Sequence, residues 1–261
     1  MFRLLILLVA ARLMLPVSTA SANEWLQWRG PDRTGILPAQ VWPESLSDKK
    51  LKTQWRIPLG PSYSSPVVTE DRVYVTETRG QKTEVVTALN RETGKTVWTV
   101  EWPGAMSVPF FAAANGSWIR STPTLDEGEL FVAGIRDVLV CLDADSGETK
   151  WRVDFPQQAG SSLPAFGCVC SPLVDDGYVY LQASGGFVKL DRKDGSVVWK
   201  SLDDGGGMYG SAFSSPVIAT VAGQRQRRNP SRYLPLLAAV GSGQAEQSAV
   251  DPAHEHLVIY E

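Results

Sequence analysis

The sequence predicts an all-β fold, a β-propeller of four-stranded antiparallel blades, with about three full blades and the start of a fourth in an incomplete ring. Two periodic markers and one absence predict it. The first marker is a turn. The segments "ALNRETGKTVW" (88–98), "CLDADSGETKW" (141–151) and "KLDRKDGSVVW" (189–199) set Asn or Asp, Gly and Trp at fixed offsets, and the tryptophans lie 53 and 48 residues apart. The second marker is "SSPVV" at Ser64, "STPTL" at Ser121, "CSPLV" at Cys170 and "SSPVI" at Ser214, with prolines 57, 49 and 44 residues apart. Unrelated markers sharing one period of this size indicate stacked supersecondary units. The absence is of any helical period between residues 60 and 222.

From the N-terminus, "MFRLLILLVAARLMLPVSTASA" carries a basic Arg3, an apolar run from Leu4 to Ala11 and a small-residue ending, Ala20-Ser21-Ala22. That layout reads as a secretory signal peptide over 1–22, with cleavage expected after Ala22. Arg12 interrupts the run short of the roughly 20 apolar residues a spanning helix needs. The mature chain is therefore expected to be exported, periplasmic or secreted, without a membrane span. Residues 23–57 read as a lead-in and 58–224 as the repeats.

Each repeat then reads alike. The Ser-Pro element is followed by "DRVYVTE", "GELFVAGI" or "DGYVYLQA", next by "EVVTALN", "VLVCLD" or "GFVKLD", and after the turn by "KTVWTVEW", "ETKWRVDF" or "SVVWKSLD". These runs are short, rich in Val, Thr, Tyr, Phe and Trp, and bounded by Gly, Asp and Pro, which is strand grammar. The turn joins the last two strands. Asn90, Asp143 and Asp191 open it, because an Asx side chain accepts nearby backbone N–H groups. Gly94, Gly147 and Gly195 supply its positive φ. Trp98, Trp151 and Trp199 follow on the outer strand, where a large flat ring can cover a neighbouring blade.

Lys plus Arg number 25 and Asp plus Glu 28, a net charge of −3 that disfavours nucleic acid as a partner. The three cysteines, Cys141, Cys168 and Cys170, form no CxxC pair and read as small buried hydrophobes. The two histidines, His254 and His256, lie outside the repeats.

The three turn segments resemble the tryptophan-docking motif of PQQ-like β-propeller repeats, a family that includes quinoprotein alcohol dehydrogenases and the propeller of the outer-membrane protein assembly machinery. The opening "WLQWRGPDRTG" (25–35), with "QWRIPLG" (54–60), resembles the start of exported PQQ-repeat-like bacterial proteins. The resemblance implies two functions of different kinds. One is an exported, non-catalytic scaffold for an unknown protein partner in the cell envelope. The other is a PQQ- and calcium-dependent alcohol or sugar dehydrogenase, in which the quinone stacks beneath a disulfide of adjacent cysteines, with a bound calcium and an Asp base. Val169 separates Cys168 from Cys170, and no carboxylate cluster has ligand-like spacing, so PQQ and calcium are disfavoured. No catalytic, cofactor-binding or metal-binding residue is expected, and the named motif residues are expected to be structural.

Beyond Gln224 the grammar stops. Residues 225–261 show no strand alternation and no further turn motif, and read as a non-repeat tail, frame-shifted or disordered. Open blade faces would then favour self-association.

Overall fold

The computed structural model describes residues 24–36, 52–201, 213–221, 224–231 and 234–239. The expected signal peptide, both histidines and the end of the tail lie outside the described residues.

Three four-stranded antiparallel sheets follow one another in the chain, each with its strands paired in sequence order. Blade 1 comprises β1 (Val67–Val68), β2 (Arg72–Arg79), β3 (Thr83–Asn90) and β4 (Thr96–Pro103). Blade 2 comprises β5 (Thr124–Asp126), β6 (Glu129–Gly134), β7 (Val138–Asp143) and β8 (Thr149–Asp154). Blade 3 comprises β9 (Leu173–Asp175), β10 (Tyr178–Ala183), β11 (Gly186–Asp191) and β12 (Val197–Ser201). A three-stranded sheet, β13 (Val217–Val221), β14 (Gln224–Ser231) and β15 (Leu234–Ala239), begins a fourth blade. The all-β propeller expectation holds.

Period-2 geometry explains why the middle strands look almost uniformly apolar. Successive side chains point to opposite faces of a sheet, and blade 2 has a neighbour on each face. Leu130, Val132, Val138, Val140 and Leu142 pack with Val67, Tyr74, Val86 and Ala88 of blade 1. Phe131, Ala133, Leu139 and Cys141 pack with Val179, Leu181, Val188 and Leu190 of blade 3. A slip of one residue would exchange the two neighbours, so the register is tightly specified.

Two expectations are corrected. The tail was expected to lack strands, yet β14 and β15 occupy 224–231 and 234–239, with β14 paired to β13 from Val217↔Arg228 to Val221↔Gln224. A backbone ladder needs an open strand edge, which β13 offers, and not an alternating side-chain pattern. The absence of helix also fails locally, at a 3-10 turn (Phe110–Asn115) and a five-residue helix, α1 (Phe155–Ala159). End signals suffice for one turn. Asp154 Oδ1 accepts from Gln157 N at 3.2 Å, a proline sits in the first turn, and Gly160 closes it in the left-handed region at φ 63°.

Candidate functional site

The repeated motif residues meet at the joints between blades. Asn90 Oδ1 accepts from the backbone N–H and hydroxyl of Thr93 at 2.9 and 2.8 Å, and Asp143 Oδ1 does the same for Ser146. Asp191 Oδ1 accepts from Lys193 N at 2.8 Å. Gly94, Gly147 and Gly195 take φ of 67°, 77° and 73°. A bulge falls at the same place in each blade, between Ala88/Leu89, Cys141/Leu142 and Lys189/Leu190, and sets each tryptophan directly opposite the first residue of its pair.

The tryptophans then reach forward to the next blade. Trp98 Nε1 donates to the Ala144 carbonyl at 2.9 Å, and Trp151 Nε1 to the Arg192 carbonyl at 2.8 Å. Each acceptor follows the Asx of the next turn. Each ring also lies on that turn's glycine, since a Cβ on Gly147 would sit 2.8 Å from Trp98 Cδ2 and one on Gly195 2.6 Å from Trp151 Cε3. Glycine is thus needed twice over, for φ and for the approach of a ring. Within its own blade each ring stands near an aromatic on the second strand: Tyr74–Trp98 at 5.9 Å, Phe131–Trp151 at 5.9 Å and Tyr180–Trp199 at 6.3 Å. Ala88 and Cys141 lie between the first two pairs in the strand register, where bulk would collide with both rings.

Three further joints were not read from the sequence. Trp55, in the expected lead-in, lies on Gly94 (Cβ to Cδ2 2.7 Å) and donates to the Arg91 carbonyl at 2.8 Å, so it repeats the same contact one blade earlier. The residue before each repeat proline forms a ladder. Ser65 N donates to Thr122 Oγ1 at 3.1 Å, Thr122 N to Ser171 Oγ at 2.9 Å, and Ser171 N to Ser215 Oγ at 2.9 Å. The third joint is a buried carboxylate six residues before the Asx. Glu84 accepts from Trp102 Nε1 at 2.7 Å and from Ile135 N of blade 2 at 2.6 Å, and Asp137 Oδ2 accepts from Ser184 N of blade 3 at 2.7 Å. Burial pushes the Glu84 carboxyl up to about 7, against the pull of those hydrogen bonds and of Arg152 and Arg136.

The segment 24–36 ties the inner strands together. Trp25 exchanges backbone hydrogen bonds with Val68, Leu125 N donates to the Leu26 carbonyl, and the buried Arg33 donates to the Ser171 and Pro172 carbonyls at 3.1 and 2.8 Å. Burial lowers Arg33 to about 10. Blades 2 and 3 share one more clasp, in which Arg192 meets Asp126 and Glu129 at 2.6 Å and Glu127 at 2.8 Å.

The opposite end of the blades, where the β2–β3 and β6–β7 turns meet the links between blades, is different in kind. Phe110 is 90% exposed, Phe111 59% and Phe213 54%. Their rings form a row through Phe166, with centroid separations of 5.7, 6.0 and 5.8 Å from Phe110 to Phe213.

Cys141, Cys168 and Cys170 are free, buried thiols. Burial drives Cys141 and Cys170 up to about 12 and Cys168 well above its usual value, a setting that makes poor nucleophiles. Among the described residues no three His, Cys, Asp or Glu side chains are grouped as a metal site.

Comparison with known proteins gives a family. Residues 45–109 and 82–229 match the family described as outer membrane protein assembly factor BamB. An uncharacterized protein of Rickettsia conorii is 28% identical over 141 residues, covering 52% of this chain and 31% of that protein. The outer membrane protein assembly factor BamB of Yersinia pestis is 23% identical over 185 residues, covering 70% of this chain and 41% of that protein. The chain therefore spans less than half the length of these relatives. Among solved structures, a europium-containing methanol dehydrogenase superposes with a TM-score of 0.50 at 16% identity, over 69% of this chain and 32% of that one, a likeness of fold alone.

Proposed function

Because the chain belongs to the family described as outer membrane protein assembly factor BamB, we propose that it is an exported, non-catalytic β-propeller that holds a protein partner in the bacterial cell envelope. It does so without PQQ or calcium. The observation that carries this reading is the exposed aromatic row of Phe110, Phe111 and Phe213 on the linking segments. Large exposed rings clustered on loops cost solubility unless something covers them, and aromatic anchors are what protein interfaces use. The motif side chains support the reading by exclusion from chemistry. Trp98 and Trp151, the hydroxyls of Thr122 and Ser171, and the carboxylates of Glu84 and Asp137 are each consumed in joining one blade to the next.

Two measurements test it. A photo-crosslinking residue at position 111, in the full chain expressed in a bacterial envelope, should give a discrete protein adduct, while the same residue at position 97 on the outer strand should give none. Adding PQQ and Ca²⁺ to purified protein should produce neither saturable quinone absorbance nor alcohol- or sugar-dependent dye reduction. Dye reduction would replace the scaffold with an oxidoreductase.

A further inference from the structure

Lys82, Arg136 and Arg152 converge on one cleft where blades 1 and 2 meet. Lys82 belongs to the β2–β3 turn, Arg136 to the β6–β7 turn and Arg152 to β8, and the antiparallel order brings these positions to one end of adjacent sheets. Together they wall a cavity of about 300 Å³ floored by Gly104 and Ala105. One carboxylate faces the three cations, Asp154, which lies 3.8 Å from Arg152 and is partly engaged with Gln157 N. Arg136 donates to the Ala105 carbonyl at 3.1 Å, which fixes its guanidinium without neutralising it. Among the described residues neither Lys82 nor Arg136 has a carboxylate partner. Glu84 lies behind Gly104, near enough for its charge to act on Arg136 and Arg152, but it is fully buried and its oxygens are taken by Trp102 and Ile135, so it offers the cleft no hydrogen bond and is partly protonated at neutral pH.

Arg136 also lines a second, open groove of about 490 Å³ whose walls are mainly apolar, among them Met106, Val108 and Leu163. The same two linking segments carry Phe111 and Phe166, whose rings stand 6.0 Å apart. Cationic cleft and apolar groove are thus one continuous surface hinged on a single arginine.

We propose that this composite groove binds an acidic segment of the partner protein, in which an apolar or aromatic side chain lies beside one or two carboxylates. The inference rests on the scaffold reading and names what the scaffold holds. Charge complementarity selects the occupant. A concave site lined by three cations and one anion, with the partly protonated Glu84 behind its wall, raises the local concentration of carboxylates and repels basic segments. Arginine takes a carboxylate through a two-pronged pair of hydrogen bonds, which orients as well as attracts. The apolar groove supplies the desolvated anchor from which most affinity comes. A small anion would satisfy only the cleft and would leave the aromatic row uncovered.

The test is selection from a random dodecapeptide library on the full chain, followed by binding of the selected peptides to Arg136→Glu, Lys82→Glu and Phe111→Ser. Val97→Ser, on the outer strand, is the control, and equal thermal melts confirm that the variants fold. The expected result is enrichment of peptides with an apolar residue next to Asp or Glu. Their affinity should fall about tenfold or more in each groove variant, about 1.4 kcal/mol or more, and be unchanged in Val97→Ser. Selection of basic peptides, or of none, overturns the proposal. Displacement of the peptide by inorganic phosphate at low millimolar concentration also overturns it, in favour of a small-anion pocket. Peptides that bind the groove variants as tightly as the parent chain remove this groove but leave the scaffold reading standing. PQQ-dependent dye reduction removes the scaffold reading itself.

Discussion

The Trp55 indole lies on Gly94 and donates to the Arg91 carbonyl at 2.8 Å, the same contact that Trp98 makes with Gly147 and Ala144 one blade further on. A segment with no strand structure therefore covers the turn of blade 1 as an outer strand would. Trp55→Ala should destabilise blade 1 by about 2–3 kcal/mol, at or just below the low end of the roughly 3–5 kcal/mol for losing a buried large aromatic, because the ring is only half-buried. Chemical denaturation measures it. Trp28→Ala, outside this joint, is the comparison, and equal losses from the two would show that Trp55 is not a repeat contact.

Trp98 and Gly147 should be energetically coupled. Gly147→Ala in the parent chain places a Cβ 2.8 Å from Trp98 Cδ2 at a φ of 77°, so it costs both a displaced ring and left-handed backbone strain. In a Trp98→Ala background only the strain remains, about 1–2 kcal/mol. A double-mutant cycle should therefore show a coupling energy of about 1 kcal/mol or more. Additive effects would mean that the glycine is required for φ alone.

Much of this was legible because it repeats. The Asx, Gly and Trp offsets exposed the blades and their turns, since each residue type there has a local reason to recur. What stayed hidden falls into three kinds. Trp55 lacks the Asx–Gly turn before it, so it carries only half of the pattern. Glu84 and Asp137 occupy the same position in successive blades, but Gly185 replaces them in the third, and two buried acids of different length do not announce a motif. The strands β14 and β15 were hidden for a third reason, because their pairing runs through the backbone and leaves no side-chain alternation in "RQRRNPS".

The residue before each repeat proline was visible as a marker but not as a bond. Thr122 takes the Ser65 N–H on its hydroxyl and gives its own N–H to Ser171. Thr122→Val keeps the shape, removes one acceptor and leaves the Ser65 N–H without its bond, at a cost of about 1–3 kcal/mol. Thr122→Ser should restore most of it. A valine variant as stable as the parent chain would show that the ladder is incidental to stability.

The cysteines make a kinetic prediction. All three thiols are buried and free, and burial raises their proton affinity, so the thiolate is scarce and shielded. A disulfide-exchange reagent at pH 8 should label none of them in the native chain within minutes and all three in denaturant. Rapid native labelling of Cys168 would indicate that the blade 2–blade 3 core opens readily.

Glu84 makes the joint between blades 1 and 2 depend on pH. Its carboxyl is raised from 4.5 to about 7, first by burial, with hydrogen bonds from Ile135 and Trp102 and the charges of Arg152 and Arg136 opposing the rise. The folded chain thus holds this proton more tightly than the unfolded chain does. That contribution to stability is fully present below about pH 4.5 and is lost as pH rises through about 7, a change of about 3 kcal/mol. Glu84→Gln cannot ionise, so residue 84 then contributes no slope. The variant does lose an acceptor, because its amide nitrogen cannot receive both the Trp102 and the Ile135 N–H groups, and it should be the weaker protein at pH 5. Between pH 5 and 8 the difference between the two unfolding free energies should narrow by about 2–3 kcal/mol, or change sign, while other titrating groups cancel in the subtraction. Parallel stability curves would show that Glu84 keeps one protonation state across this interval and that its buried hydrogen bonds, not its charge, define the joint.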